Sequence, residues 1–318
     1  MKAAVVHDFN APPRYGDFAD PVAVAGETLV QVRAAALSQL VKSQASGRHY
    51  SSGKALPLVP GIDGVGLLPD GRRVYFAFPR GIFGAMAQTT VVKTAYCVPV
   101  PDGVDDVTAA AIGNPGMSSW AALTERAHFQ RGENVLINGA TGVSGRLAIQ
   151  IARHLGASKV IVTGRNAKSI EGLGALGADV LIPLDAPPGA LTETFRDAIR
   201  SHRVNVILDY LYGPSAESLL AAVGGHSGEA EPRIRFVQIG SLAGNTITMP
   251  AAALRSSGLE IMGSGLGSVS NERLVGAIGA LLKAVVSGGF SIEADAVPLT
   301  DVERAWTSEA SARTVFTM

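Results

Sequence analysis

The chain has 318 residues, enough for two domains and a substantial core, and its 27 Lys and Arg are balanced by 27 Asp and Glu. This neutrality gives no basis for attraction to nucleic acid or an anionic membrane, and 47% hydrophobic against 17% charged residues excludes a disordered chain. No uncharged apolar stretch reaches the ~18 residues of a membrane span. The opening Met1-Lys2-Ala3-Ala4-Val5-Val6-His7-Asp8 has too short an apolar run for a signal peptide. The single cysteine, Cys97, allows no internal disulfide, so a reducing cytoplasm is the expected compartment, with Cys97 a buried structural thiol beside Tyr96 and Val98.

In chain order, residues 1 to 113 read as β-rich, with β-prone runs at 2–7, 28–35, 64–68, 73–77 and 87–92. Turns rich in Gly and Pro separate them (Pro12-Pro13, Pro60-Gly61, Pro69-Asp70-Gly71). Helices and strands then alternate. Helices are predicted at 117–127, 143–155, 168–176, 190–201, 214–223 and 250–256. Strands are predicted at 134–138, 159–163, 179–182, 204–209, 234–239 and 259–263, an order that implies a mostly parallel sheet covered by helices on both faces. The stretch Gly224-Gly225-His226-Ser227-Gly228-Glu229 reads as a surface loop. From about 267 the tail carries a helix at 271–287, a short strand at 296–298, a helix near 300–310 and a strand at 314–316. The expected fold is α/β: a Rossmann doubly wound domain over 114–266, with a β-rich domain made of 1–113 and 267–318.

The chemistry concentrates in Val135-Leu136-Ile137-Asn138-Gly139-Ala140-Thr141-Gly142-Val143-Ser144-Gly145, a buried strand, a glycine-rich turn and the start of an amphipathic helix. Set against G-x-G-x-x-G, the turn has Ala140 in the first position and Gly142 and Gly145 in the others. Gly142 would let the backbone approach a pyrophosphate, and Gly145 would let the helix pack on the strand. The helix N-terminus offers unpaired N–H groups to the phosphates, so Ala140, Thr141, Gly142, Val143, Ser144 and Gly145 are candidate cofactor contacts. The next strand ends in Thr163-Gly164-Arg165-Asn166 with Lys168 behind, and no Asp or Glu stands where an NAD site holds the ribose 2′-hydroxyl. A guanidinium grips a 2′-phosphate that a carboxylate would repel, so NADPH is the expected cofactor and Thr163, Gly164, Arg165, Asn166 and Lys168 its candidate adenosine-side contacts. The alternative, a merely solvated Arg165, stays open.

These elements, with Pro60-Gly61-Ile62-Asp63-Gly64-Val65-Gly66, Asn114-Pro115-Gly116-Met117-Ser118-Ser119-Trp120, Leu176-Gly177-Ala178-Asp179 and Val206-Ile207-Leu208-Asp209, resemble the medium-chain dehydrogenase/reductase superfamily over nearly the whole chain. More narrowly, the chain is similar to the zinc-free quinone oxidoreductase branch. The resemblance implies a GroES-like front domain, with Ser118 near the nicotinamide. It also implies that Ile239, Gly240 and Ser241, and Gly263, Ser264, Gly265 and Leu266, lie at strand ends lining the cofactor. A homodimer is implied as well, paired edge to edge around residues 260–263.

Zinc-dependent members carry His and Glu in a Pro-Gly-His-Glu-Gly turn and a Cys in the preceding segment. Here Ile62, Asp63 and Ser38 stand there, and one cysteine cannot build a structural zinc lobe, so metal independence is expected. Without a metal, hydrogen bonding or a proton donor must stabilise the developing oxyanion. Related reductases often present an Asn or Tyr in the segment that here contains Ser38, Ser43, His49 and Tyr50, which makes Tyr50 and His49 candidate catalytic acids. Tyr50-Ser51-Ser52-Gly53-Lys54 also has the Tyr-x-x-x-Lys spacing of short-chain dehydrogenases, but it precedes the glycine loop instead of following it. The expected function is an NADPH-dependent, zinc-independent oxidoreductase that delivers hydride to a small quinone, enone or other carbonyl compound. The rival is a protein that binds NADPH as a sensor or structural component without turnover.

Overall fold

Runs of Val, Ala and Tyr between Gly and Pro turns form the strands at the front of the chain, in a computed structural model that describes residues 1–224, 232–308 and 312–318. β1 (Lys2–Val5) pairs antiparallel with β2 (Arg14–Asp17). Then come β3 (Glu27–Ala36), α1 (Gln39–Ala45), β4 (Asp63–Leu67), β5 (Arg73–Ala77), β6 (Thr89–Lys93), β7 (Cys97–Pro99) and α2 (Asp106–Ala121). The middle of the chain alternates: β8 (Val135–Asn138), α3 (Val143–Leu155), β9 (Val160–Gly164), α4 (Ala167–Ile170), β10 (Val180–Pro183) and α5 (Pro188–Ser201). β11 (Val206–Asp209), α6 (Gly213–Val223), β12 (Arg233–Gln238), α7 (Ala251–Arg255) and β13 (Gly258–Gly263) complete it. The tail is α8 (Asn271–Gly288), β14 (Ala294–Pro298), α9 (Val302–Thr307) and β15 (Arg313–Thr317).

Two compact units result, residues 1–117 with 270–318, and residues 118–269. In the first, β14, β15, β3, β4, β5 and β7 lie side by side, with β6 also paired to β3; all these pairings are antiparallel except β14 with β15. In the second, the order is β10-β9-β8-β11-β12-β13 and every pairing is parallel, the doubly wound arrangement. Its central strands are buried on both faces, as near-continuous Val, Leu and Ile runs require. Leu136, Ile161, Ile207, Leu219, Phe195 and Phe236 form one core cluster there, each fully buried side chain stabilising by about 1.5–3 kcal/mol. α3 lays Leu147, Ala148, Ile149, Ile151 and Ala152 on the sheet and stops at Gly156, whose φ of 97° few other residues adopt.

Two predicted helices differ from expectation. The helix predicted at 117–127 begins at Asp106 as α2 and passes into a π-turn over Ala122–Arg126. Pro115 lies inside that helix, and Gly113 is needed because a Cβ there would stand 2.2 Å from the Tyr75 ring, so neither residue is the breaker it resembles. The helix predicted at 168–176 is one turn of α4 followed by a 3₁₀ segment over Glu171–Leu176, where Gly172 and Gly174 weaken helix propensity. Sequence reading also missed α1, β2 and β7, which are short. Of the predicted loop at 224–229, residues 225–229 lie outside the described residues, as do 309 and 310 of the helix predicted near 300–310.

Candidate functional site

β8 delivers the chain to a turn at the carboxyl end of the second unit's sheet. The residue that makes the turn is Gly139, at φ 89°; Ala140, assigned to the tight-turn position by the motif, lies fully buried with its N–H donating to the Thr163 carbonyl at 2.8 Å. The working pattern is therefore Gly139, Gly142 and Gly145. A Cβ at Gly145 would stand 2.5 Å from Ala140 Cα and from the Gly139 carbonyl oxygen, so this glycine allows the helix to sit on the turn. Gly142 is the N-cap of α3, is exposed, and has no heavy atom within 4 Å of its would-be Cβ. No side chain caps α3's first turn, whereas Ser38, Asn166 and Ser270 cap α1, α4 and α8. An uncapped helix N-terminus behind an open glycine suits a phosphate group.

Beneath the turn runs a buried polar chain that spacing could not reveal. Thr163 Oγ1 accepts from Gly139 N at 2.9 Å and donates to Asn138 Oδ1 at 2.7 Å. Asn138 Nδ2 donates to Asp209 Oδ1 at 2.8 Å and to Ser215 Oγ at 2.9 Å. Asp209 in turn accepts from the backbone N–H of Leu211 and Tyr212 at 3.0–3.1 Å. Burial raises the Asp209 pKa, and these donors pull against it. The chain crosses the carboxyl ends of β9, β8 and β11 and ties the glycine turn to the turn after β11. Thr163, predicted as a cofactor contact, is fully buried and spends its hydroxyl on this chain.

Beyond β9, Gly164 must stay small, since a Cβ would meet Ile170 at 2.3 Å and Thr141 at 2.6 Å. Asn166, a predicted cofactor contact, uses its side-chain oxygen to cap α4, accepting from Ser169 N at 3.0 Å. Arg165 and Lys168 are exposed. Gly240 sits against the Tyr210 carbonyl, 2.6 Å from a would-be Cβ; Ile239 and Gly240 donate to the Asp209 carbonyl. Ser241 is exposed, Ser264 is buried with its N–H on Gln238 O at 2.8 Å, and the Gly263 carbonyl accepts from Arg126 Nε at 2.7 Å. Gly265 is exposed and Leu266 half-buried. Ser118 is half-buried near the end of α2, its Oγ 3.2 Å from the Tyr210 hydroxyl.

In the first unit, Ser38 Oγ accepts from Val41 N at 3.1 Å, so its hydroxyl caps α1. The His49 and Tyr50 rings lie 4.2 Å apart, His49 Nδ1 is 2.7 Å from Ser51 Oγ, and Tyr50 is 74% exposed. Burial lowers the His49 pKa below its ordinary value. In the turn before β4, Ile62 is buried and offers only carbon, while Asp63 accepts a hydrogen bond from the Tyr75 hydroxyl. Burial raises Asp63 to about 6 against the opposing pull of Tyr75, Arg313 and Asn114. These donors do not fit a catalytic zinc, and among the described residues no group of three His, Cys, Asp or Glu could hold a metal.

A family profile described as zinc-binding dehydrogenase matches residues 144–282, a span that excludes Ser38, Ile62 and Asp63. A probable NADPH-dependent quinone reductase, tdiC, of Emericella nidulans is 28% identical over 97% of both chains. The quinone oxidoreductase of Thermus thermophilus, known also in complex with NADPH, superposes with a TM-score of 0.80 at 24% identity over the full length of both. These likenesses agree with the resemblance to the quinone oxidoreductase-like branch of the medium-chain dehydrogenase/reductase superfamily expected from the sequence. The chloroplastic NADPH-dependent alkenal/one oxidoreductase of Arabidopsis thaliana is 32% identical over 49% of this chain and 44% of its own length. The chain combines a parallel sheet and glycine turn with a front segment in which the Ser38 hydroxyl caps α1 and His49 Nδ1 lies on Ser51 Oγ.

Proposed function

We propose that the protein is an NADPH-dependent, zinc-independent reductase of small quinones, enones or other carbonyl compounds. The observation that carries this reading is the uncapped N-terminus of α3 behind exposed Gly142, followed one strand later by exposed Arg165 and Lys168, with no Asp or Glu in the sequence from Val160 to Ile170. The names of the relatives from Emericella nidulans and Arabidopsis thaliana support the same cofactor and substrate class. When bound, NADPH supplies the hydride. The chain's part is to hold the pyrophosphate on the turn residues Thr141 to Gly145, to hold the 2′-phosphate with Arg165 and Lys168, and to orient the nicotinamide near Ser118 and the strand ends at Ile239–Ser241 and Gly263–Leu266.

The test is NADPH oxidation with a panel of quinones, enones and aldehydes, followed by loss of reduced-nicotinamide absorbance. Turnover with at least one acceptor class is expected. Tight NADPH binding with no acceptor reduced would favour the sensor or structural reading, which draws support from the committed Ser38 hydroxyl and exposed Tyr50. Dialysis against a strong chelator should leave both turnover and melting temperature unchanged. Stoichiometric zinc by elemental analysis would sink metal independence.

A homodimer and a cytoplasmic setting belong to the same proposal. β13 ends the parallel sheet, and Ile261 on it is 41% exposed, an open edge that pairing with a second copy would cover. Light scattering should give twice the 32.7 kDa chain mass; a monomer at micromolar concentration contradicts it. The lone Cys97, with its thiol pushed up to about 11 by burial, suits a reducing compartment, and no helix among the described residues is long and apolar enough to cross a membrane.

A further inference from the structure

We propose that Thr163 is a positioning residue for the cofactor's pyrophosphate: a two-point clamp that holds the Gly139–Ala140 peptide, and with it the first turn of α3, in its phosphate-accepting shape before any ligand arrives. The inference rests on the NADPH reading above. Two consecutive amides of the turn end on this one residue. Gly139 N donates to Thr163 Oγ1 at 2.9 Å, and Ala140 N donates to the Thr163 carbonyl at 2.8 Å. The helix rests on the peptide so held, because a Cβ at Gly145 would stand 2.5 Å from both the Gly139 carbonyl oxygen and Ala140 Cα. Whatever fixes Gly139 and Ala140 therefore fixes where the first N–H groups of α3 point.

A clamp is needed because the turn does not hold its own shape. Gly139 sits at φ 89°, a region that glycine enters and leaves freely for want of a Cβ, and nothing lies within 4 Å of a would-be Cβ on Gly142. The clamp itself has no such freedom. Thr163 is fully buried, and obligate donors set the direction of every bond from both ends of its chain. The Gly139 N–H can only donate, so Thr163 Oγ1 accepts it and gives its own proton to Asn138 Oδ1 at 2.7 Å. At the far end, the Leu211 and Tyr212 N–H groups can only donate, and the Asp209 carboxylate accepts both at 3.0–3.1 Å. Asn138 must then turn Nδ2 toward Asp209 Oδ1, at 2.8 Å, and toward Ser215 Oγ, at 2.9 Å. Reversing that amide would set its oxygen against the carboxylate. A ligand that meets a turn ordered in this way need not order it on binding, and its affinity is higher for that reason.

Thr163→Val keeps the branched shape and the backbone carbonyl but deletes the hydroxyl. Thr163→Ser does the reverse, keeping the hydroxyl and deleting a buried methyl. Calorimetric titration of the Val variant should show NADPH and 2′-phospho-ADP-ribose, which share the pyrophosphate, bound about 3- to 12-fold more weakly, the range of one net hydrogen bond. The Ser variant should bind both with near wild-type affinity, although its packing defect is the larger. 2′-AMP, which has the 2′-phosphate but no pyrophosphate, should bind wild type and both variants alike. Equal weakening of 2′-AMP in the Val variant, or a Ser variant that binds NADPH more weakly than Val does, would mean a packing role and overturn the inference. Unchanged NADPH affinity in Thr163→Val also overturns it, and leaves the cofactor reading intact. Wild-type protein that binds neither dinucleotide would overturn the cofactor reading and this inference together. If Thr163→Val fails to fold, amide hydrogen exchange of the wild-type protein decides. Gly139 N–H should be protected without ligand and unaffected by NADPH, while the Val143 and Ser144 amides slow when NADPH binds. A Gly139 amide that exchanges freely until NADPH is added would show that the ligand orders the turn, and would refute the inference.

Discussion

Tyr50→Phe should lower enone turnover by about 10²–10⁴-fold, with little change in NADPH affinity. The change keeps the ring of a side chain that is 74% exposed and removes only its O–H. Hydride addition to an enone leaves an enolate that must be protonated, whereas a reduced quinone takes its protons from water. Quinone turnover by the same variant should therefore hold. His49 is the competing donor, and pH separates the two. An imidazole donates only as the cation, so a rate that depends on His49 is present at low pH and falls as pH rises through its pKa. Burial lowers that pKa below the ordinary histidine value, which moves the fall to more acid pH and leaves little cation at neutrality. His49→Gln should accordingly cut the enone rate on the acid side and leave it nearly untouched at neutral pH. If both variants keep wild-type enone rates across the whole pH range, neither residue donates the proton.

Arg165→Ala should weaken NADPH by about 10- to 150-fold and leave NADH nearly unchanged, the loss of a charge-assisted hydrogen bond to a doubly charged phosphate. Arg165 is exposed, directly after the strand that ends at Gly164, and neighbouring Lys168 carries a like charge. Lys168→Ala should have a smaller effect, because an ammonium grips phosphate as a point charge and not as a fork. The selectivity shrinks at high salt, since both side chains are solvated. Comparable wild-type affinities for NADH and NADPH would sink the assignment.

The alternation of strands and helices was legible because a buried parallel sheet writes itself as apolar runs of fixed length, and β8, α3 and β9 appear within a residue or two of their expected bounds. α2 was not, because Pro115 and Gly113 carry the look of a turn while their reason is tertiary: the glycine makes room for the Tyr75 ring. In the site, the glycine spacing pointed to this turn and placed Ala140 at its first position, while the residue that takes positive φ is Gly139. Which small residue takes positive φ depends on where the strand ends, and Gly139 follows Asn138 directly. The side chains of Thr163 and Asn166 looked available because nothing in their neighbourhood along the chain shows that Asn138 and Ser169 occupy them. Tyr210 and Asp209 were invisible for the same reason, as their partners lie 71 to 92 residues away.

The chain of hydrogen bonds from Thr163 through Asn138 to Asp209 has a consequence for how the sheet assembles. Hydrophobic runs such as Val160-Ile161-Val162 and Val135-Leu136-Ile137 are nearly uniform, so burial alone would accept several alignments of β9 on β8. A slip of one residue would turn each polar side chain to the opposite face of the sheet and leave an amide, a hydroxyl and a carboxylate without partners in an apolar interior, at about 1–3 kcal/mol apiece. Only the alignment that joins Ile137 to Val162 and Asn138 to Asp209 satisfies all three at once. The residues that shape the ligand turn thereby also act as a checksum on strand alignment: a misaligned sheet is rejected during folding by the same atoms that hold the glycine turn in the native protein.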